Sequence, residues 1–400
     1  MAKRKGGLRR DGSRQRYPFH GCTLYRTSTD FGAGRQHRCH SWQTQTIVRT
    51  IRVGVLGATG AVGQRLVAML ERHPWFRLAE VVASDRSAGR PYSAAAGWRL
   101  ESPLPEAARE LVVKDLDDEL ECDLLLSALD ASVAGVAEEM YARAGFPVIS
   151  NSRNHRMDDD VPLLIPEVNW EHSAAIPGQR QRRGFGAGFM VTNPNCSTIG
   201  LVMALKPLQD AFGLAAVQVV TMQAISGAGL DGVSAGAIQD NVIPYIGGEE
   251  EKLEAEPLKI LGAFDGSGFV AAEMTVSAQC NRVPVLDGHT ESVSVRLARP
   301  ASQGEVEDAL RGFTSEPQRL GLPSAPSRPI LLSPEPDRPQ PRLDRNAGSG
   351  MAVVVGRVRP CPVQDWKFTV LSHNMVRGAA GAALLNAELL AAKGFITAPA

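Results

Sequence analysis

A glycine-rich turn between an apolar strand and an apolar helix limits the folds open to this chain more than any other feature. The run Ile51–Leu56 is typical of a buried strand, and residues 64–70 continue as a helix. Glycines allow a tight turn and a close backbone approach to a pyrophosphate, which the start of the next helix can bind. We therefore expect an α/β fold with a Rossmann-like dinucleotide-binding domain; the alternative is a turn whose glycines serve only packing. The cofactor contacts expected from this turn are Gly57, Ala58, Thr59, Gly60, Ala61, Val62 and Gly63.

The residues after the second predicted strand favour one type of dinucleotide. Residues 78–83 form that strand, and Ser84, Asp85, Arg86 and Ser87 follow it. An acidic residue here usually selects the ribose 2′-hydroxyl of NAD, whereas hydroxyls and a guanidinium suit the 2′-phosphate of NADP. Because serines and an arginine surround Asp85, we expect NADP, bound by Ser84, Arg86 and Ser87. A solvated polar loop is the other interpretation of this composition.

Two further apolar runs, at residues 123–129 and 146–150, predict additional buried parallel strands. Ligands of open parallel sheets bind beyond the carboxyl ends of the strands. Ser127 stands near the end of the first run, and the polar stretch 151–156 follows the second. We therefore expect Ser127 to lie beside the cofactor.

Cys196 is the candidate nucleophile. It follows Asn193, Pro194 and Asn195, which favour a turn, and it precedes the apolar run 201–205. A thiol at the start of a helix faces unpaired N–H groups and the positive end of the helix dipole, and both favour the thiolate. The local sequence is equally consistent with a buried cysteine that acts as a small apolar side chain.

Three more residues with polar or titratable groups stand at predicted turns. Residues 217–223 alternate as a strand does and lead Gln223 into a glycine-rich turn. Arg282 and His289 flank a turn that contains proline and glycine, and residues 292–297 alternate as in an antiparallel strand. Each has an ordinary interpretation too: Gln223 satisfies backbone groups, Arg282 forms a surface ion pair, and His289 belongs to a turn or the core.

Several motifs follow one another in a recognisable order. They are GATGAVG at 57–63, SNSRNHRM at 150–157 followed by 161–169, NPNCSTIG at 193–200, QAISGAG at 223–229, GGEEEK at 247–252 and NRVPVLDGH at 281–289. In this order the chain resembles the aspartate-semialdehyde dehydrogenase family over about residues 51–390. The stretches at 165–169 and 244–248 look most like archaeal and fungal members.

The resemblance implies roles for individual residues. Cys196 matches the nucleophile, His289 the acid–base group and Gln223 the residue that orients the acyl intermediate. Covalent catalysis of this kind divides one difficult reduction into two easier steps. Cofactor contacts are implied for Ser226, Gly227 and Asn374, the last near the nicotinamide carboxamide.

Five residues match substrate-binding groups of the family. Arg282 matches the clamp on the substrate α-carboxylate, and Glu249 matches the group that grips the amino group. Arg156, Asn195 and Lys252 match phosphate-binding groups. Glu249 is chosen from three consecutive glutamates by its three-residue spacing to Lys252. Arginine suits a bidentate carboxylate contact, and lysine suits phosphate as a point charge.

The implied reaction interconverts β-aspartyl phosphate and aspartate semialdehyde with NADP(H), in the biosynthesis of lysine, threonine, methionine and isoleucine. Thiolate attack on the acyl phosphate gives a thioester and releases phosphate, and hydride from NADPH then reduces the thioester. Two other interpretations stay open. One is a malonyl-CoA reductase on the same scaffold, against which Arg156 and Lys252 argue; the other is a non-catalytic dinucleotide-binding paralogue.

Composition excludes several classes of partner. The 400 residues carry no net charge, and no apolar stretch approaches the ~18 residues of a membrane span, so we expect neither nucleic acid nor membrane as a partner. The six cysteines lack paired spacing, which predicts a reduced, cytoplasmic protein without a metal site. We expect a small-molecule substrate and, from the resemblance, a homodimer or homotetramer.

The chain length predicts two domains. We expect a Rossmann-like domain over 51–195, completed by a C-terminal helix within 373–400, and an α+β catalytic and dimerisation domain with an antiparallel sheet over 196–372. The proline-rich segment 323–341 is predicted to be an irregular surface excursion. Residues 1–50 hold eleven Lys or Arg and two acidic residues, and they predict a disordered extension, either a transit peptide or the product of an upstream start site.

Overall fold

Five short apolar strands form a parallel sheet in the first half of the chain. The computed structural model describes residues 50–229 and 232–397. The strands lie in the order β2-β1-β3-β4-β5, and every neighbouring pair is parallel. Their carboxyl ends therefore meet at one edge of the sheet. The strands are β1 Ile51–Leu56, β2 Phe76–Val82, β3 Leu124–Ser127, β4 Pro147–Ser150 and β5 Phe189–Thr192.

Helices pack against this sheet, and its strands are apolar almost throughout. Leu66 and Val67 of the first helix share a fully buried core with Val53 and Leu124 of the sheet. Continuous apolar strands follow from burial on both faces. The helices are α1 Ala61–Leu70, α2 Tyr92–Ala95, α3 Glu106–Arg109, α4 Ala131–Arg143, α5 Pro166–Asn169 and α6 Ile176–Arg183, with a 3₁₀ segment at Trp170–Ala175.

A second sheet of six strands follows in the order β11-β12-β13-β10-β6-β9. It is mixed rather than antiparallel, because β6 pairs with β9 and β11 with β12 in parallel. Parallel pairing needs a long crossover, and a helix between β6 and β9 provides one. The strands after β5 are β6 Leu214–Gln223, β7 Ala263–Phe264, β8 Phe269–Val270, β9 Thr275–Arg282, β10 His289–Leu297, β11 Ile330–Ser333, β12 Val353–Pro360 and β13 Trp366–Ser372, of which β7 and β8 form a separate ribbon.

One long helix covers the mixed sheet and presents its first residue to the candidate site. Ile199, Val202 and Met203 of that helix are fully buried in a core that includes Val219 and Val293 of the sheet. The predicted fold class, an α/β domain with a second α+β domain, is confirmed. The helices of this half are α7 Cys196–Phe212, α8 Ala235–Ile238, α9 Glu249–Ile260, α10 Gln303–Arg311, α11 Glu316–Leu320 and α12 Pro341–Asp344, with 3₁₀ segments at Ile225–Ala228 and Ala347–Gly350.

The chain returns to the first sheet at its C-terminal end. A π-helical turn at Val376–Ala380 leads into α13 Gly381–Ala392. Ala383 and Leu384 of α13 lie in the same buried core as β1 and β3. The division of the chain at 195 and 196 stays a prediction, as does the assignment of the C-terminal helix to the first domain.

The sequence predicts an irregular excursion over the proline-rich segment 323–341. In the structure, part of this segment is a regular strand. Residues 330–333 form β11, which pairs in parallel with β12 at the edge of the sheet. Pro329 precedes the strand and Pro334 follows it, so neither removes an N–H group from the ladder. The prolines therefore delimit a short edge strand.

Two sequence predictions can be compared with the structure only within the described residues. The predicted basic extension over 1–50 lies outside them, except for residue 50. Within the described part of the chain, no helix combines the length and apolar character needed to cross a membrane.

Candidate active site

The glycine turn leaves the start of α1 open to a ligand. Gly57 has a φ of +74°, a left-handed conformation that favours glycine. A Cβ on Gly63 would lie 2.1 Å from the carbonyl oxygen of Gly57, so only glycine fits where the helix passes the turn. Among the described residues, no side chain caps α1 at Gly60. The uncapped, positive end of the helix therefore fits the pyrophosphate of a dinucleotide.

The residues predicted to bind a 2′-phosphate lie just beyond the carboxyl end of β2. Ser84 and Arg86 are exposed, and Ser87 is half-buried. The carboxylate of Asp85 accepts a hydrogen bond from the Arg86 main-chain N–H at 2.8 Å. Asp85 thus forms a hydrogen bond within its own loop. The contacts of Ser84, Arg86 and Ser87 with a 2′-phosphate stay predictions.

The structure does not support Ser127 as a cofactor contact through its side chain. Ser127 is fully buried, and its hydroxyl donates to Glu138 Oε1 at 2.5 Å. Ser150, at the end of β4, donates to the same oxygen at 2.7 Å. A buried carboxyl group needs such donors, so the Ser127 hydroxyl is committed to Glu138. Glu138 lies on α4, and nothing in the sequence of β3 reveals it.

Cys196 is the first residue of α7, and Asn195 caps that helix. Asn195 Oδ1 accepts hydrogen bonds from the main-chain N–H groups of Ser197 at 2.9 Å and Thr198 at 3.4 Å. The sequence therefore places the thiol at a helix start, as its turn residues predict. Asn195 has a structural task in addition to the phosphate contact proposed for it.

The groups around the Cys196 sulfur act in opposite directions on the pKa of its thiol. Burial raises the pKa of the Cys196 thiol to about 12, and the Glu249 carboxylate acts in the same direction. Arg156, Arg282 and Lys252 favour the thiolate and only partly offset these effects. Desolvation of the sulfur is the largest of these effects, and the thiolate expected at the helix start stays a prediction.

His289 is the first residue of β10, and its ring lies against the Cys196 sulfur. The distance from Nε2 to Sγ is 3.3 Å. On the other side of the ring, Nδ1 accepts a hydrogen bond from the main-chain N–H of Ala224 at 3.0 Å. Burial, aided by the charge of Arg282, lowers the pKa of His289 to about 3. His289 is therefore neutral near pH 7.

Glu249 is the centre of a buried polar network. Its carboxylate accepts hydrogen bonds from Asn195 Nδ2 at 2.9 Å, Gln223 Nε2 at 3.2 Å and Lys252 Nζ at 2.6 Å. Burial raises the pKa of Glu249, but the charge of Lys252 and the three donors outweigh it, so that the pKa lies below its usual value. The network brings four of the predicted site residues together.

Arg282 is buried beside Gln223, its neighbour across the parallel pair of β9 and β6. One guanidinium nitrogen donates to the Ala224 carbonyl at 2.7 Å. The same residue, Ala224, therefore contacts both Arg282 and His289.

Arg156 pairs with a residue that is not among those predicted for the site. Its guanidinium donates to Glu256 Oε1 at 2.9 Å and to the Asn151 carbonyl at 2.8 Å. Glu256 Oε2 accepts the main-chain N–H of Asn195 at 2.7 Å. Glu256 thus links the predicted phosphate-binding arginine to the start of α7. The spacing of residues 249, 252 and 256 along one helix is the signal that points to it.

Asn374 and Ser226 join the two halves of the chain at the site. Asn374 Nδ2 donates to Ser226 Oγ at 2.9 Å, and Asn374 Oδ1 accepts the main-chain N–H of Gly288 at 2.8 Å. Gly227 lies next to Arg282 and His289, where a Cβ would come within 3.0 to 3.2 Å of both. Their cofactor contacts stay predictions.

A cavity of about 230 Å³ connects these groups to the glycine turn. Cys196, Arg156 and Asn374 line it together with Ala61 and Val62 from the start of α1. A cysteine paired with a histidine thus opens into the same space as a dinucleotide-type turn. Its lining also includes Asn151, Asn195, Ser226, Gly227, Gly229, Met375, Gly378 and Ala379.

Comparison with known proteins points to the semialdehyde dehydrogenases. Residues 52–176 match the model of the semialdehyde dehydrogenase NAD binding domain, and residues 205–377 match that of the semialdehyde dehydrogenase dimerisation domain. Fold and site thus define a dinucleotide-dependent semialdehyde dehydrogenase. The chain belongs to the aspartate-semialdehyde dehydrogenase family: the enzyme of Archaeoglobus fulgidus is 51% identical over 339 residues, covering 84% of this chain and 97% of the relative.

Fungal relatives and solved structures agree with this membership. The aspartate-semialdehyde dehydrogenase of Saccharomyces cerevisiae is 46% identical, covering 86% of this chain and 98% of the relative. The crystal structure of the Candida albicans enzyme with NADP aligns with a TM-score of 0.81 and 47% identity, covering 87% of this chain and 100% of that one. The resemblance seen in the sequence, including that to archaeal and fungal members, is confirmed.

Proposed function

We propose that this chain reduces β-aspartyl phosphate to aspartate semialdehyde with NADPH, releases phosphate, and does so through an acyl thioester on Cys196. The contact of 3.3 Å between Cys196 Sγ and His289 Nε2, in a cavity that reaches Ala61, carries the proposal. Cysteine is a residue type whose thiol can accept an acyl group, and an open helix start can bind the pyrophosphate of a dinucleotide. The names of the relatives support the same reaction in amino-acid biosynthesis.

NADP fits this chain, because the uncapped start of α1 beyond the glycine turn can accept the pyrophosphate of a dinucleotide. When bound, NADPH supplies the hydride that reduces the thioester. The Candida albicans relative, whose structure contains NADP, supports this choice of cofactor. The turn residues 57–63 are proposed to hold the pyrophosphate, Ser84, Arg86 and Ser87 the 2′-phosphate, and Ser226, Gly227 and Asn374 the nicotinamide end.

The charges around Cys196 suit a substrate with a carboxylate, an amino group and a phosphate. Arg282, which uses one nitrogen on the Ala224 carbonyl, is proposed to clamp the α-carboxylate with its other donors. Glu249 is proposed to hold the amino group. Arg156 and Lys252 are proposed to bind the phosphate, Asn195 to assist them, and Gln223 to orient the acyl group.

The decisive experiment is phosphate-dependent reduction of NADP with purified protein and aspartate semialdehyde. NADPH formation that requires phosphate supports the proposal, and its absence refutes it. Reduction of malonyl-CoA without any activity on aspartate semialdehyde would show that the acyl group has been misassigned.

Two cysteine variants test the covalent step. Cys196→Ser is expected to abolish turnover and retain NADPH binding, since only the acyl acceptor is lost. Cys361→Ser is the matched control, because Cys361 lies after β12 and outside the cavity, and it should keep full activity. Unchanged turnover in Cys196→Ser would remove the thioester from the mechanism.

The chain is also proposed to act as a homodimer or homotetramer in the cytoplasm. The matched dimerisation model over 205–377 includes every strand of the mixed sheet and supports self-association. Among the described residues, Cys122, Cys196, Cys280 and Cys361 are unpaired thiols, which suits a reducing compartment. Analytical ultracentrifugation distinguishes the two assemblies.

A further inference from the structure

One helix holds Arg156, the proposed phosphate-binding residue, at both of its ends. Its guanidinium Nη1 donates to Glu256 Oε1 at 2.9 Å, and its main-chain carbonyl accepts a hydrogen bond from Lys259 Nζ at 2.8 Å. Glu256 and Lys259 both belong to α9, where their spacing places them on one face of the helix. All three residues are buried. The position of Arg156 is therefore set by α9 and not by solvent.

Lys259 fastens the segment that carries Arg156. Besides the Arg156 carbonyl, its ammonium group donates to the carbonyls of Asp158 at 2.7 Å and Val161 at 2.9 Å. An ammonium group has three N–H donors, so all three are used within residues 156–161. The same nitrogen lies 4.6 Å from the centre of the Phe269 ring. A segment that is neither helix nor strand is thus fixed to α9.

Glu256 ties Arg156 to the start of the nucleophile helix. While Oε1 accepts from Arg156, Oε2 accepts the main-chain N–H group of Asn195 at 2.7 Å. Asn195 directly precedes Cys196. A single planar carboxylate therefore determines where the guanidinium lies relative to the thiol.

The partners of Arg156 leave one of its nitrogens without a hydrogen bond. Nη1 donates to Glu256, and Nη2 donates to the Asn151 carbonyl at 2.8 Å. Nε is buried and has no partner among the described residues. A buried donor without an acceptor is unfavourable, and a phosphate oxygen is a strong acceptor for arginine. Because Arg156 lines the same cavity as Cys196, a phosphate group can reach this residue.

We propose that Glu256, together with Lys259, is a positioning residue that fixes Arg156 so that its Nε–H group is presented to phosphate beside Cys196. This rests on the proposed function and specifies how its phosphate site is built. Glu256 has an alternative role with the opposite consequence. A carboxylate that only neutralised Arg156 would weaken phosphate binding, whereas one that positions Arg156 strengthens it.

Glu256→Gln separates these two roles by the sign of its effect. The amide has one acceptor oxygen for two donors, Arg156 Nη1 and the Asn195 N–H group, so its own NH₂ group faces one of them and displaces it. The Kd of inorganic phosphate, measured by calorimetry on the purified protein, is expected to rise at least about tenfold. The KM for phosphate should rise with it, and the KM for aspartate semialdehyde should stay nearly constant. Unchanged or tighter phosphate binding overturns the proposal, as does an equal rise of both KM values.

Glu256→Asp keeps the charge and shortens the side chain by one methylene, so that it no longer spans both partners. It should also weaken phosphate binding, and binding at the wild-type level would show that the charge alone is sufficient. This variant decides the matter as well if thermal unfolding shows that Glu256→Gln does not fold. Glu254→Gln is the matched control, because Glu254 lies on the same helix and accepts the Ala278 main-chain N–H group at 3.0 Å. Its phosphate affinity should equal that of the wild type.

A double variant tests whether Glu256 acts through Arg156. Arg156→Ala should weaken phosphate binding, and adding Glu256→Gln should weaken it no further, since the residue to be positioned is absent. A second loss as large as that in the wild-type background would mean that Glu256 supports the site in general. Phosphate binding unaffected by Arg156→Ala would refute the proposal directly.

Calorimetry with phosphate requires no turnover, so this proposal and the proposed function can fail separately. If the wild type binds phosphate and forms no NADPH, the proposed function fails, and the titrations still decide the role of Glu256. If the wild type forms NADPH only with phosphate and both Glu256 variants bind phosphate as it does, only the positioning role fails.

Discussion

Gly378 lies so close to Cys196 that a side chain at position 378 would collide with the catalytic candidate. A Cβ on Gly378 would come 2.7 Å from Cys196 Cβ and 3.0 Å from its Cα. Gly378 belongs to the π-helical turn Val376–Ala380, an element common at functional sites. Its neighbour Arg377 anchors the turn by a buried bidentate ion pair with Glu167, at 2.8 and 2.7 Å. The C-terminal segment therefore fixes the position of the thiol.

Replacing Gly378 by alanine should displace the thiol. Because carbon atoms do not approach within 2.7 Å, either α7 or the π-helical turn must move, and a displacement of about 1 Å can cost 10²-fold in rate. We expect kcat of Gly378→Ala to fall by at least about tenfold. Steady-state kinetics measure it, with Gly304→Ala as the control, since Gly304 faces open space in α10. A normal kcat in Gly378→Ala would show that this contact is unimportant.

Local rules account for the parts of the molecule that could be predicted from sequence. The turn at 57–63 follows from where glycine is needed, and the start of α7 at Cys196 follows from Pro194 and the capping Asn195. The alternating residues of the strand that ends at Gln223 indicate that strand directly in the sequence. These features depend on neighbours in the chain, which a sequence displays.

Features that depend on distant neighbours could not be predicted. The hydroxyl of Ser127 is taken by Glu138 on another element, and Arg377 meets Glu167 from a position 210 residues away. The close approach of Gly378 to Cys196 is of the same kind. Only packing of the finished fold decides which polar group a given side chain contacts.

The ion pair of Arg377 and Glu167 should make a large contribution to stability. Both side chains are almost completely buried. Removing one partner of a buried pair leaves an uncompensated charge and costs about 3–5 kcal/mol. We expect Glu167→Gln to lower the free energy of unfolding by about that amount in urea titrations.

An exposed pair provides the comparison for this loss. Lys206 and Asp210 form an (i, i+4) pair on α7, and Asp210 is largely exposed. Asp210→Asn should cost no more than about 0.5 kcal/mol. If both variants lose the same small amount, burial of the Arg377 pair does not matter to stability.

Arg86 is predicted to distinguish NADPH from NADH. A charge-assisted hydrogen bond contributes about 1.5–3 kcal/mol, so Arg86→Ala should weaken NADPH binding by about 10- to 100-fold and leave NADH binding nearly unchanged. Fluorescence titration with both dinucleotides measures the two affinities. Arg90→Ala is the control, because Arg90 donates instead to the Ala94 carbonyl in the same region. Equal weakening of both dinucleotides would contradict a contact with the 2′-phosphate.

Glu249 should stabilise the protein at neutral pH and lose that effect in acid. Its pKa in the folded protein is below the usual value, so the folded state binds its proton less readily than the unfolded chain. The contribution is present above the unfolded pKa, about 4.3, and disappears as the pH falls through the lower folded value. Glu249→Gln should therefore be less stable than the wild type at pH 7, by a margin that narrows below about pH 4. Urea titrations at several pH values measure this margin, and a margin that does not change with pH would contradict the assignment.

Glu291 should show the opposite dependence, although it lies only two residues from His289 on the same strand. It is almost fully buried, neither carboxyl oxygen has a partner among the described residues, and burial raises its pKa well above the usual value. The folded state therefore keeps a proton that the unfolded chain releases above about pH 4.3, so wild-type stability falls as the pH rises. Glu291→Gln removes this cost and keeps the shape, so it should be more stable than the wild type at pH 8, by about 1.4 kcal/mol for each pKa unit of the shift, and equal to it near pH 4. Urea titrations at both pH values measure the difference in the free energy of unfolding. Glu110 is exposed, so Glu110→Gln is the control, and its stability should match that of the wild type at both pH values. A Glu291→Gln variant less stable than the wild type at pH 8 would mean that the carboxylate is ionised and bound.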